Sequence, residues 1–163
     1  GVGLQSGSVD LDQFAKALNA LCEALAKEIV ADGEGATRLL TVDIRSELSE
    51  AEAERGAFTI AESPLVKTAL FAADPNWGRI LAAIGRSGIN DLDVSKVRIA
   101  VGECPIAEAG ALSPRYVEAD AAKAMSADAV TFNIELGRGS AQAVVWTCDL
   151  SFDYVRINAE YRT

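Results

Sequence analysis

The feature that most restricts the fold is the alternating segment AVTFNIELGRGSAQAVVWTCDL, residues 129–150. Its first half places four apolar side chains on one face of an extended chain, namely Val130, Phe132, Ile134 and Leu136. That period of two is typical of a half-buried strand. Gly137-Arg138-Gly139-Ser140 then form a turn-type sequence before a second apolar run. Because strands joined by a tight loop run antiparallel, the segment predicts a β-hairpin and an antiparallel sheet.

Two further segments supply strands for that sheet. RLLTVDIRSE, residues 38–47, alternates apolar and polar side chains, and so does KVRIAVGE, residues 96–103. Residues 107–112 are interpreted as a short returning arm beside the second of these strands. Each alternation indicates one buried and one wet face.

The segment at residues 10–31 predicts a long amphipathic helix. Its sequence, DLDQFAKALNALCEALAKEIVA, repeats apolar residues at steps of three and four, with Glu and Lys on the wet face. Ser8 or Asp10 can cap this helix, and Gly33 can end it. Cys22 falls on the apolar stripe, so we expect its thiol to lie in the core, where burial keeps a thiol protonated.

Further helix starts are marked by capping residues. Ser49 followed by Glu52 is a capping-box pattern and predicts a helix running toward Ile60. Ser63-Pro64 predicts a third helix, because proline fits the first helical turn. Asp74-Pro75 predicts the start of a fourth helix by the same logic, and Ser151 is a possible cap for a final one.

The pattern as a whole predicts an α+β fold, an antiparallel sheet with packed helices, in a single domain over residues 1–163. No internal repeat or low-complexity linker divides the chain. Its longest apolar run is far shorter than the roughly 20 residues of a membrane-spanning helix, so no membrane span is expected.

Composition excludes several functions. The chain contains no histidine, so by itself it cannot supply a Ser–His–Asp unit or an imidazole metal ligand. A net charge of −9 argues against nucleic acid as a partner, because phosphate binding requires a basic face. The three cysteines are widely spaced without a CxxC pair, which predicts neither a disulfide framework nor a zinc site and favours the cytoplasm.

For two segments, the local sequence must be weighed between a structural role and a role in ligand binding. SPLVKTALFAADPNWGRILAAIG, residues 63–85, is interpreted as scaffold in which Trp77 packs and Arg79 pairs or extends to solvent. DGEGATR, residues 32–38, has the glycines of a ligand loop but lacks the sequence of a P-loop, and its local pattern alone favours a plain helix-ending turn. Thr37 is rejected as a processing nucleophile, because cleavage there would separate the first helix from its strand.

DGEGATR, the segment at 63–88 and DLSFDYVRINAEYRT at 149–163 together resemble the ornithine acetyltransferase (glutamate N-acetyltransferase) family. The three motifs occur in family order from about residue 32 to the last residue. The resemblance implies an α/β arrangement of the Ntn-hydrolase-like type and a precursor that cuts itself at an Ala-Thr bond into α and β chains. The new N-terminal Thr is then the nucleophile of a ping-pong transfer of acetyl from N-acetylornithine to glutamate, without a cofactor.

The resemblance also implies site residues. Glu34 corresponds to the family glutamate that meets the ligand's amino groups, while Asn158 and Thr163 correspond to residues that line the substrate pocket. No catalytic residue of the family falls in this chain, because the nucleophilic Thr lies before the position of Gly1 and the oxyanion-stabilising groups belong to the α chain. The expected partner is the α chain of the same precursor, in an α2β2 or larger assembly.

Because no catalytic residue of the family falls in this chain, two interpretations remain open. In the first, the chain is the C-terminal part of the β chain of such an acetyltransferase and needs its α chain and the Thr-bearing segment. In the second, it is a catalytically inert binding or scaffold domain with the same fold. Local pattern alone does not discriminate between them.

Overall fold

The computed structural model describes residues 10–161, in which helices and strands fold around one mixed sheet. The elements in chain order are α1 (Leu11–Ala31), β1 (Leu39–Glu47), α2 (Glu50–Ala61), α3 (Pro64–Phe71), α4 (Trp77–Gly85), a 3₁₀ turn (Val94–Lys96), β2 (Arg98–Val101), β3 (Cys104–Glu108), β4 (Ala111–Leu112), α5 (Glu118–Met125), β5 (Ala129–Glu135), β6 (Ala141–Cys148) and α6 (Phe152–Glu160). The strand order across the sheet is β4-β3-β2-β5-β1-β6. The predicted α+β class is confirmed.

Most of the predicted helix starts are confirmed by their caps. The Ser49 hydroxyl accepts the N–H of Glu52 at 3.2 Å and begins α2. Ser63 caps α3, with Pro64 in its first turn. The side chain of Ser151 accepts the N–H of Tyr154 and begins α6. Each of these caps depends only on a contact with a residue three positions away. Such caps can therefore be predicted from the sequence.

The predicted hairpin of β5 and β6 is wrong, because β1 lies between the two strands. Val42 of β1 is paired with Phe132 of β5 on one side and with Val145 of β6 on the other. The β1–β5 pair is parallel, whereas β1–β6 is antiparallel. The turn from β5 to β6 therefore crosses the end of β1, where the Leu136 N–H donates to the Arg45 carbonyl at 3.1 Å.

The core is formed by residues of the sheet and of helices α2, α3, α4 and α5. Leu40, Val42 and Ile44 of β1 are fully buried there, at 0% exposure. Helix α2 approaches the sheet closely because Gly56 faces it: a Cβ at Gly56 would lie 2.9 Å from Cδ1 of Ile44. Ala53 and Ala57 continue this small-residue face and are buried too. Small residues of α2 thus pack against branched residues of the sheet.

Helix α1 packs differently from the prediction. It lies on the opposite sheet face, where the Lys27 ammonium is 5.0 Å from the ring centre of Trp146. No residue of α1 is buried, and Cys22 is exposed, so the prediction of a core thiol is wrong. Only three residues near the C-terminal end of the helix are half-buried, namely Ala26, Lys27 and Val30. No helix among residues 10–161, α1 included, is both long and apolar enough to span a membrane.

The predicted cap of α4 is displaced by two residues. Asn76, not Asp74, is the N-cap, and its side-chain oxygen accepts the N–H of Arg79 at 3.1 Å. Asp74 instead accepts a hydrogen bond from the Asn76 amide at 3.0 Å. Pro75 therefore precedes the helix instead of occupying its first turn.

A buried ion pair fixes the loop that crosses β1. The side chain of Glu47, at the end of β1, is fully buried, and the Arg138 guanidinium lies 3.1 Å from its carboxylate. Arg138 is also 3.7 Å from the carboxylate of Glu52 on α2. A buried carboxylate is tolerated only with such a partner, because desolvation of an unpaired charge is costly. The pair thereby ties the β5–β6 loop to β1 and α2.

We predict that Arg138→Met destabilises the protein by about 3–5 kcal/mol, since it leaves the Glu47 carboxylate buried without its partner. Denaturant-induced unfolding measures this loss. The matched control is Arg156→Met, which removes an exposed pair with Asp153 at 2.9 Å and should cost at most about 1 kcal/mol. Equal small losses for both variants would show that Arg138 does not compensate Glu47.

Candidate functional site

A cleft of about 410 Å³ opens between loop 32–38, α3 and the start of α6. Its lining residues come from these elements and from the end of β6: Gly33, Glu34, Glu62, Pro64, Lys67, Cys148, Asp149, Leu150 and Tyr154. We call it the α3–α6 cleft. Its size falls in the range of small-molecule sites, about 300–1,000 Å³.

The carboxylate of Asp149 holds the loop that forms one side of the cleft. Asp149 is buried, and its oxygens accept the N–H of Thr37 at 2.7 Å, the N–H of Arg38 at 3.1 Å and the Thr37 hydroxyl at 2.5 Å. Arg38 then donates from its guanidinium to the carbonyls of Leu70 and Phe71 at the end of α3. Because its carboxylate accepts three hydrogen bonds, Asp149 fixes the position of the loop. Thr37 has a structural role as a donor in two of these bonds.

Helix α6 begins directly on the glycine-rich loop. The Ser151 hydroxyl donates to the carbonyl of Gly35 at 2.5 Å while it caps α6. Gly35 has a φ of +69°, and a Cβ there would lie 2.5 Å from the backbone nitrogen of Tyr154. Glycine is thus required twice, for the left-handed conformation and for the close approach of α6.

Two of the residues named by the resemblance are brought together by this packing. The side-chain amide of Asn158 donates to the carboxylate of Glu34 at 3.2 Å, across 124 positions of sequence. The same amide donates to the Tyr154 carbonyl one turn earlier at 2.9 Å, which orients it. Both side chains are exposed, and Glu34 lines the cleft. Thr163, the third residue named, lies outside the described residues.

Lys67 is a cleft residue that the sequence interpretation assigned to scaffold. It projects from α3 with its ammonium 3.2 Å from the hydroxyl of Thr147 and 3.9 Å from the sulfur of Cys148. Among residues 10–161 neither Lys67 nor Glu34 belongs to an ion pair. The signal that could have identified it is a single lysine in the otherwise uncharged helix PLVKTALF.

Two other depressions are less suited to a charged ligand. A groove on the sheet face contains Arg98 paired with Glu135 at 3.3 Å and Arg115 paired with Glu108 at 2.6 Å. Hydrogen bonds from Arg115 and then Ser113 hold the pKa of Glu108 below its usual value, so that charge is already compensated. A second groove, around Phe71 and Phe152, is lined by no charged side chain.

The α3–α6 cleft thus contains separate anionic and cationic groups without their own ion pairs. Such an arrangement suits a small molecule that carries both an ammonium and a carboxylate, since each charge meets an opposite one. The described residues place no histidine and no cluster of metal ligands there.

Comparison with known proteins gives a consistent result. A model of the ArgJ family matches residues 2–163. The Arginine biosynthesis bifunctional protein ArgJ of Methylococcus capsulatus (strain Bath) is 52% identical over 160 residues, covering 98% of this chain and 39% of that protein. The protein of the same name from Pseudomonas fluorescens is 51% identical over 153 residues, covering 92% of this chain and 38% of its own length.

A solved structure agrees with these relatives. The crystal structure of Arginine biosynthesis bifunctional protein argJ from Bacillus halodurans superposes with a TM-score of 0.90 at 40% identity. It covers 97% of this chain and 74% of the crystallised one. The chain described here spans roughly two fifths of the length of the sequence relatives, 39% and 38%.

We predict that Gly35→Ala destabilises the protein more than Gly88→Ala. Gly88 has a similar φ of +73° but nothing within 4 Å of a Cβ, so its substitution costs only the left-handed conformation, about 1–2 kcal/mol. At Gly35 the added methyl must also displace α6. Urea unfolding of both variants, with amide exchange of α6, measures the difference. Equal costs with unchanged exchange at Tyr154 would contradict the proposed docking.

Proposed function

Because this chain belongs to the ArgJ family, we propose that it is the substrate-binding C-terminal part of an acetyltransferase that moves acetyl from N-acetylornithine to glutamate. The observation that carries the proposal is the contact between Glu34 and Asn158 at the α3–α6 cleft. Two residues distant in sequence, both named by the resemblance, meet beside a cavity of suitable size.

Glu34 is proposed to bind the ammonium of the ligand. N-acetylornithine keeps a free side-chain ammonium, and a carboxylate that lacks an ion pair of its own is a suitable partner for it. Asn158 orients Glu34 and adds an amide that can contact polar atoms of the ligand. Thr163 remains predicted to complete the pocket from the end of the chain.

The acetyl group is proposed to pass through a threonine outside this chain. The Thr hydroxyl attacks the acetyl carbonyl, its proton passes to the departing amine through the threonine's own amino group, and the C–N bond to ornithine breaks. The resulting ester is then attacked by the amino group of glutamate, which releases the threonine and yields N-acetylglutamate. The residues of the described cleft contribute ligand binding to both half-reactions, in line with catalysis by positioning.

The partner in this proposal is the α chain of the same precursor, in an α2β2 or larger cytoplasmic assembly. Helix α1 presents an apolar stripe whose members are between 45% and 74% exposed: Leu11, Phe14, Leu18, Leu21, Leu25 and Ile29. A contiguous apolar surface of this kind is typical of an interface. The length of the sequence relatives beyond this chain, about three fifths of each, supplies polypeptide that could cover it.

The proposed activity is tested by an acetyl-transfer assay with the complete protein and with this chain alone. We expect the complete protein to form N-acetylglutamate from N-acetylornithine and glutamate, and to carry an acetylated threonine when glutamate is omitted. This chain alone should show no turnover, because it lacks the nucleophile. Mass spectrometry identifies the acetylated residue. A complete protein that transfers nothing would favour the inert scaffold domain instead.

We predict that Glu34→Gln weakens the binding of N-acetylornithine by about ten- to hundredfold, since a charge-assisted contact contributes roughly 1.5–3 kcal/mol. The fold should be unaffected, because Glu34 is exposed. Calorimetric titration measures affinity, and a thermal melt checks stability. Glu54→Gln, an exposed position on α2 away from the cleft lining, is the matched control. Unchanged affinity in Glu34→Gln would exclude Glu34 as the ammonium ligand.

A further inference from the structure

Lys67 has the position and charge of a ligand-binding residue. Lys67 and Glu34 both line the α3–α6 cleft, and the backbone carbonyl of Lys67 accepts the N–H of Leu150 at 3.2 Å. That bond fixes the first turn of α3 against the segment that follows β6. The lysine is therefore held by a rigid part of the fold, which is the arrangement that an oriented binding group requires.

The ammonium of Lys67 is only partly satisfied by the described residues. It has three donors, and its contacts are the neutral Thr147 hydroxyl at 3.2 Å and the Cys148 sulfur, a weak acceptor, at 3.9 Å. The hydroxyl of Thr147 donates in turn to the carbonyl of Ala61 at 3.2 Å, so it is already oriented without the lysine. The position of the Lys67 charge at the cleft is therefore not explained by packing alone.

The other charged groups of the cleft leave that ammonium available. Asp149 uses both carboxylate oxygens to hold residues 37 and 38. Glu62 and Glu34 form no ion pair with Lys67, and Glu34 is engaged by Asn158. The cleft thus keeps a cationic group separate from an anionic one.

We propose that Lys67 binds the α-carboxylate of the amino acid substrate while Glu34 binds an ammonium. The inference rests on the proposed function and adds a residue to it. N-acetylornithine and glutamate share an α-carboxylate but differ in their side chains. A cation in the same cleft as Glu34 can therefore serve both half-reactions, and it selects amino acids over simple amines of the same length.

The test compares two ligands that differ only in that carboxylate. N-acetylornithine carries it, whereas N-acetylputrescine has the same chain, amide and ammonium without it. In the complete protein that contains this chain, each ligand acetylates the threonine when glutamate is omitted, and the dependence of that acetylation on ligand concentration gives the apparent affinity for the wild type, Lys67→Met and Glu34→Gln. Lys123→Met is the matched control, an exposed lysine of α5 outside the cleft lining.

We expect Lys67→Met to bind N-acetylornithine about ten- to hundredfold more weakly than the wild type, with the affinity for N-acetylputrescine unchanged. Lys67→Arg, which keeps the charge, should recover part of the loss. Glu34→Gln should weaken both ligands, because both carry the ammonium. Lys123→Met should bind both ligands like the wild type.

Other results would overturn the assignment in distinguishable ways. If Lys67→Met weakens both ligands equally, the lysine only maintains the shape of the cleft. If it weakens neither while the wild type transfers acetyl, the proposed function stands and the role of Lys67 is wrong. If the wild type binds neither ligand, the proposed function fails and this inference fails with it.

Discussion

The buried carboxylate of Asp149 is the interaction on which the candidate site depends. It joins the end of β6 to the start of β1 through three hydrogen bonds from residues 37 and 38, and the N–H of Asp149 returns a bond to the Arg38 carbonyl at 3.3 Å. Because loop 32–38 precedes β1 and α6 follows β6, this clamp determines that the loop and the helix meet. The contact of Ser151 with Gly35 and that of Asn158 with Glu34 are then geometric consequences.

The molecule uses charge in two opposite ways. At the far end of β1, Glu47 and Arg138 are buried and paired, so their charges stabilise the path of the chain and are not available to a ligand. At the α3–α6 cleft, Glu34 is exposed, Lys67 is half-buried, and the two are not paired with each other. The first arrangement specifies topology, whereas the second provides a surface whose charge a ligand can neutralise. The difference follows from desolvation, since a charge that keeps contact with water does not require an ionic partner.

The two faces of the sheet are also unequal. Helices α2, α3, α4 and α5 form the buried core with the apolar residues of the sheet. The opposite face has α1, which contacts β6 near its C-terminal end and leaves its apolar stripe exposed. An amphipathic pattern indicates that a helix covers something apolar. It does not indicate whether that surface belongs to the same chain, which is why the expected burial of Cys22 was wrong.

The sequence by itself determined the local structure: the alternation of the strands, the period of α1, the caps at Ser49, Ser63 and Ser151, and the motifs of the family. These features depend on residues within a few positions of one another. Tertiary structure alone decided that β1 separates β5 from β6, because in this order β1 pairs with a strand on each side. It also decided that Glu34 meets Asn158 and that Lys67 shares their cleft. Contacts between distant residues arise from packing of whole elements, and no local pattern encodes which elements will meet.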